Sequence, residues 1–231
     1  MLRSTSKHCF SQFPITRSLH AERPEVHRVV LIRHGESLAN VGQAHGSHSG
    51  VVLTKLGEQQ AEALAALWTE TPTLIVCSPF TRTRQTAAPT LARFASIPVE
   101  EWPVQEFANL DHDRWCERTF DEAWEHAGRF WIQLDALYSD GPGAESFTAF
   151  YERMHAALQR LTQLPDGSLT YVFSHGFAIH MLRLQIERPT LTPQQLMPVF
   201  IAEWNRHPIA NTECLELLWS GSTWRCSARL S

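Results

Sequence analysis

Continuous apolar runs, each stopping at a polar turn, set the pattern of this chain. Residues 28–32 (RVVLI) stop at Arg33-His34-Gly35, Leu74–Cys77 (LIVC) at Ser78-Pro79, and residues 169–173 (LTYVF) at Ser174-His175-Gly176. Short runs of this kind predict strands buried on both faces, as in a parallel sheet. Between them lie helical stretches. Residues 58–68 are rich in Ala, Leu, Glu and Gln, which are strong helix formers. Ser78-Pro79 has the form of an N-cap followed by proline at the first helical position, opening a helix to about Phe94. Two more helices are predicted over 144–164 and 177–186, and the partial alternation of 213–219 (ECLELLW) adds a final strand. Strands alternating with helices predict the α/β class, as a three-layer α/β/α arrangement with a mostly parallel central sheet.

Two regions fit this pattern less well. Residues 106–139 carry Trp115, Trp124 and Trp131 among mixed charges, which predicts a small helical cap insertion over one end of the sheet, roughly 106–143. The three tryptophans are expected to serve cap packing. Residues 1–21 contain no acid, yet Arg3, Lys7 and Arg17 stand there among Ser and Thr. Targeting leaders and flexible extensions share that composition, and a flexible extension over 1–27 is the preferred expectation. The length of 231 residues then suits one well-buried domain over 28–231.

Composition narrows the function classes. The formal charge of −4 and the lack of dense Lys/Arg runs argue against nucleic-acid binding, which relies on neutralising many phosphates. The longest apolar runs are far too short to span a bilayer, so no membrane partner is expected. Five scattered cysteines, odd in number and never spaced Cys-x-x-Cys, form neither a disulfide framework nor a thiolate zinc site. A reducing, cytoplasmic setting is expected.

The chemistry is concentrated where the strands end. Ligands of open α/β sheets collect at the carboxyl ends of strands. Here the first end carries Arg33-His34-Gly35-Glu36-Ser37, the second leads to Arg82, and the third carries Ser174-His175-Gly176. A neutral imidazole is a competent nucleophile near pH 7, and an arginine fork matches phosphate oxygens without losing its charge. Two arginines and two histidines on one rim therefore suit phosphoryl transfer. Taken singly, each has a plainer reading: Arg33-His34 as a surface turn, Arg82 as a solvated helix residue, His175 as a hydrogen-bonded core histidine. Arg84 is expected to be solvated and His180 structural. His45 and His48 have a spacing open to metal binding, but no carboxylate or cysteine cluster accompanies them, and no metal site is expected.

The combination RHGES at Arg33–Ser37 with Asn40, LTKLG at Leu53–Gly57, SPFTRTRQTA at Ser78–Ala87 and SHG at Ser174–Gly176 resembles the histidine phosphatase superfamily, the phosphoglycerate mutase-like group. The resemblance covers Val29 to about Trp219. It implies that His34 is the phosphorylated nucleophile, that Arg33 and Arg82 hold the phosphoryl oxygens, and that His175 donates to the phosphoryl group. It implies further that Glu106 is the general acid and base and that Asn40 helps position substrate. No cofactor and no metal are implied, and the partner is a small phosphorylated substrate. The chain departs from the family pattern after Glu106, where many members carry a Gly-Trp-Glu-Gly type of segment and this chain carries Phe107-Ala108-Asn109-Leu110-Asp111. Asp111, Asp113 and Glu117 therefore stay open as alternatives to Glu106. Within the same segment Asp111, Asp113, Glu117, Asp121 and Glu122 outnumber Arg114 and Arg118, a balance that disfavours a bisphosphate. A phosphatase is accordingly expected over a mutase, with a non-catalytic phosphate-binding module as the rival from a different class.

Overall fold

The computed structural model describes residues 27–43, 47–111 and 120–230. Among them six strands form one sheet: β1 (His27–Arg33), β2 (Leu74–Cys77), β3 (Val99–Glu101), β4 (Leu169–Ser174), β5 (Cys214–Trp219) and β6 (Trp224–Leu230). Their spatial order is β3-β2-β4-β1-β5-β6. The first four lie parallel, while β5 runs antiparallel to β1 and β6 antiparallel to β5. β1 begins one residue before the expected start, and His27 is fully buried.

Alternate residues of β1 explain the layering. Val30 and Ile32 face one side, joining Ile75, Tyr171 and Phe173 beneath helices α1 (Lys55–Leu67) and α2 (Thr81–Arg93). Val29 and Leu31 face the other, joining Val76 and Val172 beneath α4 (Phe147–Leu161), α5 (Gly176–Glu187) and α6 (Pro193–Arg206). Both faces are buried along β4, all of whose residues are enclosed. This is a three-layer α/β/α fold with a mostly parallel sheet.

Helix α3 (Phe120–Gln133) falls inside the expected cap insertion. Its Trp131 stacks on Phe200 at 5.7 Å and meets Phe147 and Phe177 edge-on, so this tryptophan serves packing. Trp115, together with Asp113, Arg114, Glu117, Arg118 and His45, lies outside the described residues, as do residues 1–26.

Candidate active site

The rim is assembled by close backbone approaches. A Cβ on Gly57 would lie 1.9 Å from the Glu36 carbonyl oxygen, and one on Gly35 would lie 2.6 Å from that of Gly57. Two glycines thus let the loop after β1 press against the first turn of α1. Thr54 ties the same junction: its hydroxyl accepts from Gly57 N at 3.1 Å and donates to Glu36 Oε1 at 2.7 Å. Helix α2 supplies the other clamps. Gly35 N donates to Thr86 Oγ1 at 3.0 Å, and Leu53 N to Gln85 Oε1 at 2.9 Å.

Four side chains converge above this frame. The His34 ring donates from Nδ1 to the Gly35 carbonyl at 2.7 Å, because a carbonyl only accepts. Its Nε2 therefore carries the lone pair, and that atom receives the Arg82 Nε–H at 3.2 Å. The His175 ring stands edge-on to His34 at 5.1 Å between centroids. Arg33 donates from Nη1 to the Ile209 carbonyl, while its Nε is buried with no partner among the described residues. The same holds for Nδ1 of His175, whose Nε2 meets Ser78 Oγ at 2.8 Å. With Ser78 as donor to Nε2, His175 carries its proton on Nδ1, so the two orphaned atoms are both donors, suited to anionic oxygens.

Burial sets the charge states. The His34 pKa is pushed well below the ordinary imidazole value, first by burial and then by Arg82, which keeps the ring neutral. The His175 pKa is lowered in the same sense by burial and Arg82. Burial also lowers Arg33, and it brings Arg82 down to about 10, with Glu106 opposing it in both cases. Arginines at such values remain cations near neutral pH, and two of them close together favour an anion.

Glu106 lies on the loop after β3, at the start of α5. Its Oε1 accepts from Phe107 N and Phe177 N, both at 3.1 Å. Burial raises its pKa and outweighs the opposing pull of Arg82, the Phe107 amide, Arg33 and the Phe177 amide. Asp111, one of the alternatives, is buried and accepts from Gly143 N at 3.3 Å, where it supports a loop. Asn40 is exposed, and its Oδ1 accepts from Ser37 N, Ser37 Oγ and Asn211 Nδ2 at 3.0 to 3.2 Å.

The sequence profile of the histidine phosphatase superfamily (branch 1) matches residues 29–229. The chain belongs to the histidine phosphatase superfamily. Among curated relatives it is 34% identical over 158 residues to the Escherichia fergusonii protein named "Probable phosphoglycerate mutase GpmB", a match covering 67% of this chain and 72% of that one. The Photorhabdus laumondii protein of the same name is 31% identical over 169 residues, with the same coverage of each. Two solved structures show the shared fold. A mycobacterial glucosyl-3-phosphoglycerate phosphatase aligns with a TM-score of 0.67 at 23% identity, covering 88% of this chain and 98% of its own. An Entamoeba histolytica phosphoserine phosphatase bound to 3-phosphoglyceric acid aligns at 0.66 and 21%, covering 89% and 97%.

For this histidine phosphatase-superfamily chain, the structure brings Arg33, His34, Arg82, Glu106 and His175 to one place, with Asn40 linked to them through Asn211. Asn211 Nδ2 donates to the His34 carbonyl at 2.9 Å. Two flanking readings, for Arg84 and His180, match the structure. Arg84 is exposed and pairs with Glu101, and His180 is buried against the Phe200 carbonyl at 2.9 Å. Ser78 is a correction. Helix α2 is capped at Phe80 without a side-chain bond, and the Ser78 hydroxyl serves His175 instead. Three contributors carry no sequence signal for these roles: His48, whose spacing from His45 pointed only to a metal, on Arg82; Asn211 under His34; and Arg153. The last grips Glu145 with two bonds of 2.7 Å and the Pro103 and Gln105 carbonyls at 2.8 and 3.1 Å, immediately before Glu106. No group of three or more His, Cys, Asp or Glu suited to a metal ion occurs among the described residues.

Proposed function

We propose that this protein is a metal-independent phosphatase that hydrolyses a small phosphomonoester through a phosphohistidine on His34. The observation that carries the reading is a facing pair of enclosed groups, His34 and Glu106, whose pKa values burial pushes in opposite directions. Attack needs His34 unprotonated and departure needs Glu106 protonated. At ordinary values, about 6.5 and about 4.3, little of any population satisfies both. Burial moves the two in opposite directions, His34 down and Glu106 up, so the productive combination becomes more populated than at ordinary values.

In the first transfer the Nε2 lone pair of His34 attacks phosphorus in line, and the bond from phosphorus to the leaving oxygen breaks. Glu106 gives its proton to that oxygen. Arg33, Arg82 and the Nδ1–H of His175 take up the charge on the equatorial oxygens, and the Asn40 amide nitrogen helps to position substrate. In the second, water loses a proton to Glu106 while attacking phosphorus, and Nε2 recovers its lone pair as inorganic phosphate leaves. The positive charge comes from arginines and hydrogen-bond donors of the chain. Cys77, Cys214 and Cys226 are free thiols, which fits a reducing cytoplasm as the setting.

Rapid quench with a ³²P-labelled monoester tests the reading. An acid-labile, alkali-stable phosphoenzyme is expected, and none in His34→Ala; label that persists in that variant overturns it. A mutase is the second reading, favoured by the name of the relative at 34% identity. Partitioning of the phosphohistidine between water and an added phosphoglycerate decides: mostly inorganic phosphate for a phosphatase, mostly phosphorylated acceptor for a mutase.

A further inference from the structure

Arg82 is held at both ends. Its Nε–H points to the lone pair of His34, and its two terminal nitrogens meet a single residue, His48. Nη1 donates to the His48 carbonyl at 2.9 Å, and Nη2 donates to the His48 ring Nε2 at 3.3 Å. Arginine has no acceptor, so His48 Nε2 accepts and this ring carries its proton on Nδ1. Phe80 lies against both partners, 5.3 Å from the His48 ring and 4.9 Å from the guanidinium carbon of Arg82. His48 itself sits in a single 3₁₀ turn, His48–Gly50, whose N-cap Ser47 accepts from Gly50 N at 3.2 Å.

These contacts have different fates in the reaction. The bond from Arg82 Nε to His34 cannot survive attack, because the lone pair it uses passes to phosphorus. The bonds to His48 use two other hydrogens of the fork, so three of its five N–H groups are then open to phosphoryl oxygens. We propose that His48 is a positioning residue, which holds the terminal nitrogens of Arg82 so that its fork keeps its aim on the phosphoryl group once His34 lets go. The proposal rests on the phosphohistidine reading above. Without His48 the side chain regains rotamer freedom at the moment when its orientation matters most, and a displacement of about 1 Å at a reacting centre costs about 10²-fold in rate.

The test compares His48→Ala, His48→Gln, Arg82→Ala and the double variant His48→Ala/Arg82→Ala, with thermal melting to confirm folding. The substrate is p-nitrophenyl phosphate. His48→Ala is expected to lower kcat about 10- to 100-fold with KM within about threefold, since the loss falls on the transition state. His48→Gln, whose amide oxygen can accept from Nη2, is expected to recover most of the loss. Because His48 acts through Arg82, the double variant should be no slower than Arg82→Ala alone. Wild-type kcat in His48→Ala, no recovery in His48→Gln, or losses that multiply in the double variant each overturn this role. Failure of the underlying reading looks different: the wild type itself then turns over no monoester, and the proposal falls with it.

Discussion

The rim that carries Arg33 and His34 and the stretch that holds Glu106 are fixed by different forces. At the rim, backbone meets backbone: Gly35 against Gly57, Gly57 against the Glu36 carbonyl, with Thr54, Gln85 and Thr86 closing the gaps. Around Glu106, long side chains from distant elements do the holding. Phe107 stacks on Phe150 at 4.6 Å and touches Phe130, Trp131 and Phe147, while Arg153 of α4 reaches back to Glu145 and to two carbonyls. A rim built on backbone contacts tolerates little change at its glycines, whereas a wall built from side chains can change residue by residue.

That contrast is open to direct attack. The largest effect is expected from Glu106→Gln, a loss of about 10²- to 10⁴-fold for a poor leaving alcohol. Its raised pKa means that Glu106 ionises only as pH climbs past that elevated value, and the phosphorylation rate should fall there; single-turnover pH profiles should show this alkaline limb in the wild type and not in Glu106→Gln. The acid limb, set by the depressed His34, should lie below the ordinary imidazole value. Arg82→Ala should follow with about 10²- to 10³-fold in kcat. A raised KM at near-normal kcat would place this arginine in ground-state binding instead.

Smaller effects separate the two regions. Arg153→Ala should cost about 1.5–3 kcal/mol of stability, from its charged hydrogen bonds, and should lower kcat by displacing the Glu106 loop. Gly57→Ala should cost about 1–3 kcal/mol, because its new methyl group meets backbone that cannot rotate away. Denaturant melts measure both. If Arg153→Ala leaves kcat untouched, side chains do not hold the Glu106 wall. At the bottom of the scale, Arg84→Ala removes an exposed pair and should change stability by less than about 1 kcal/mol with unaltered turnover, two residues from the arginine whose loss is severe.

What was legible in the sequence follows the same division. RHGES, LTKLG, SPFTRTRQTA and SHG are contiguous words whose residues bond to one another, so the rim could be read before any coordinates. The four interior segments of β1, β2, β4 and β5 were legible because burial makes them apolar. β3 was not, since Val99–Glu101 is a three-residue edge with two exposed positions and no apolar pattern. β6 went unread too, being an edge strand in which Arg225 and Ser227 alternate with Trp224 and Cys226. Helix α6 has a readable start, since Thr192-Pro193 with Gln195 forms a capping box, but Pro198 within the helix hides its periodicity. Ser78 misled because Ser-Pro is a common helix opening, whereas its hydroxyl is taken by a histidine 97 residues away. His48 and Arg153 act through partners that no local spacing reveals.

The strand order carries a consequence for how the chain must come together. β4 lies between β1 and β2, and Arg28 pairs with Leu169 while Leu74 pairs with Thr170. A ribosome delivers the flanking strands long before the one that joins them. Until β4 arrives, β1 and β2 each have an edge waiting for a parallel partner, and such edges pair with whatever strand is near. Non-local pairing of this kind is also slow, because loop closure must precede the contacts that reward it. Ser174 and His175 stand at the tip of the inserting strand. The insertion that joins β1 to β2 therefore also brings His175 beside His34, and a chain caught before it is adhesive with its candidate site unassembled.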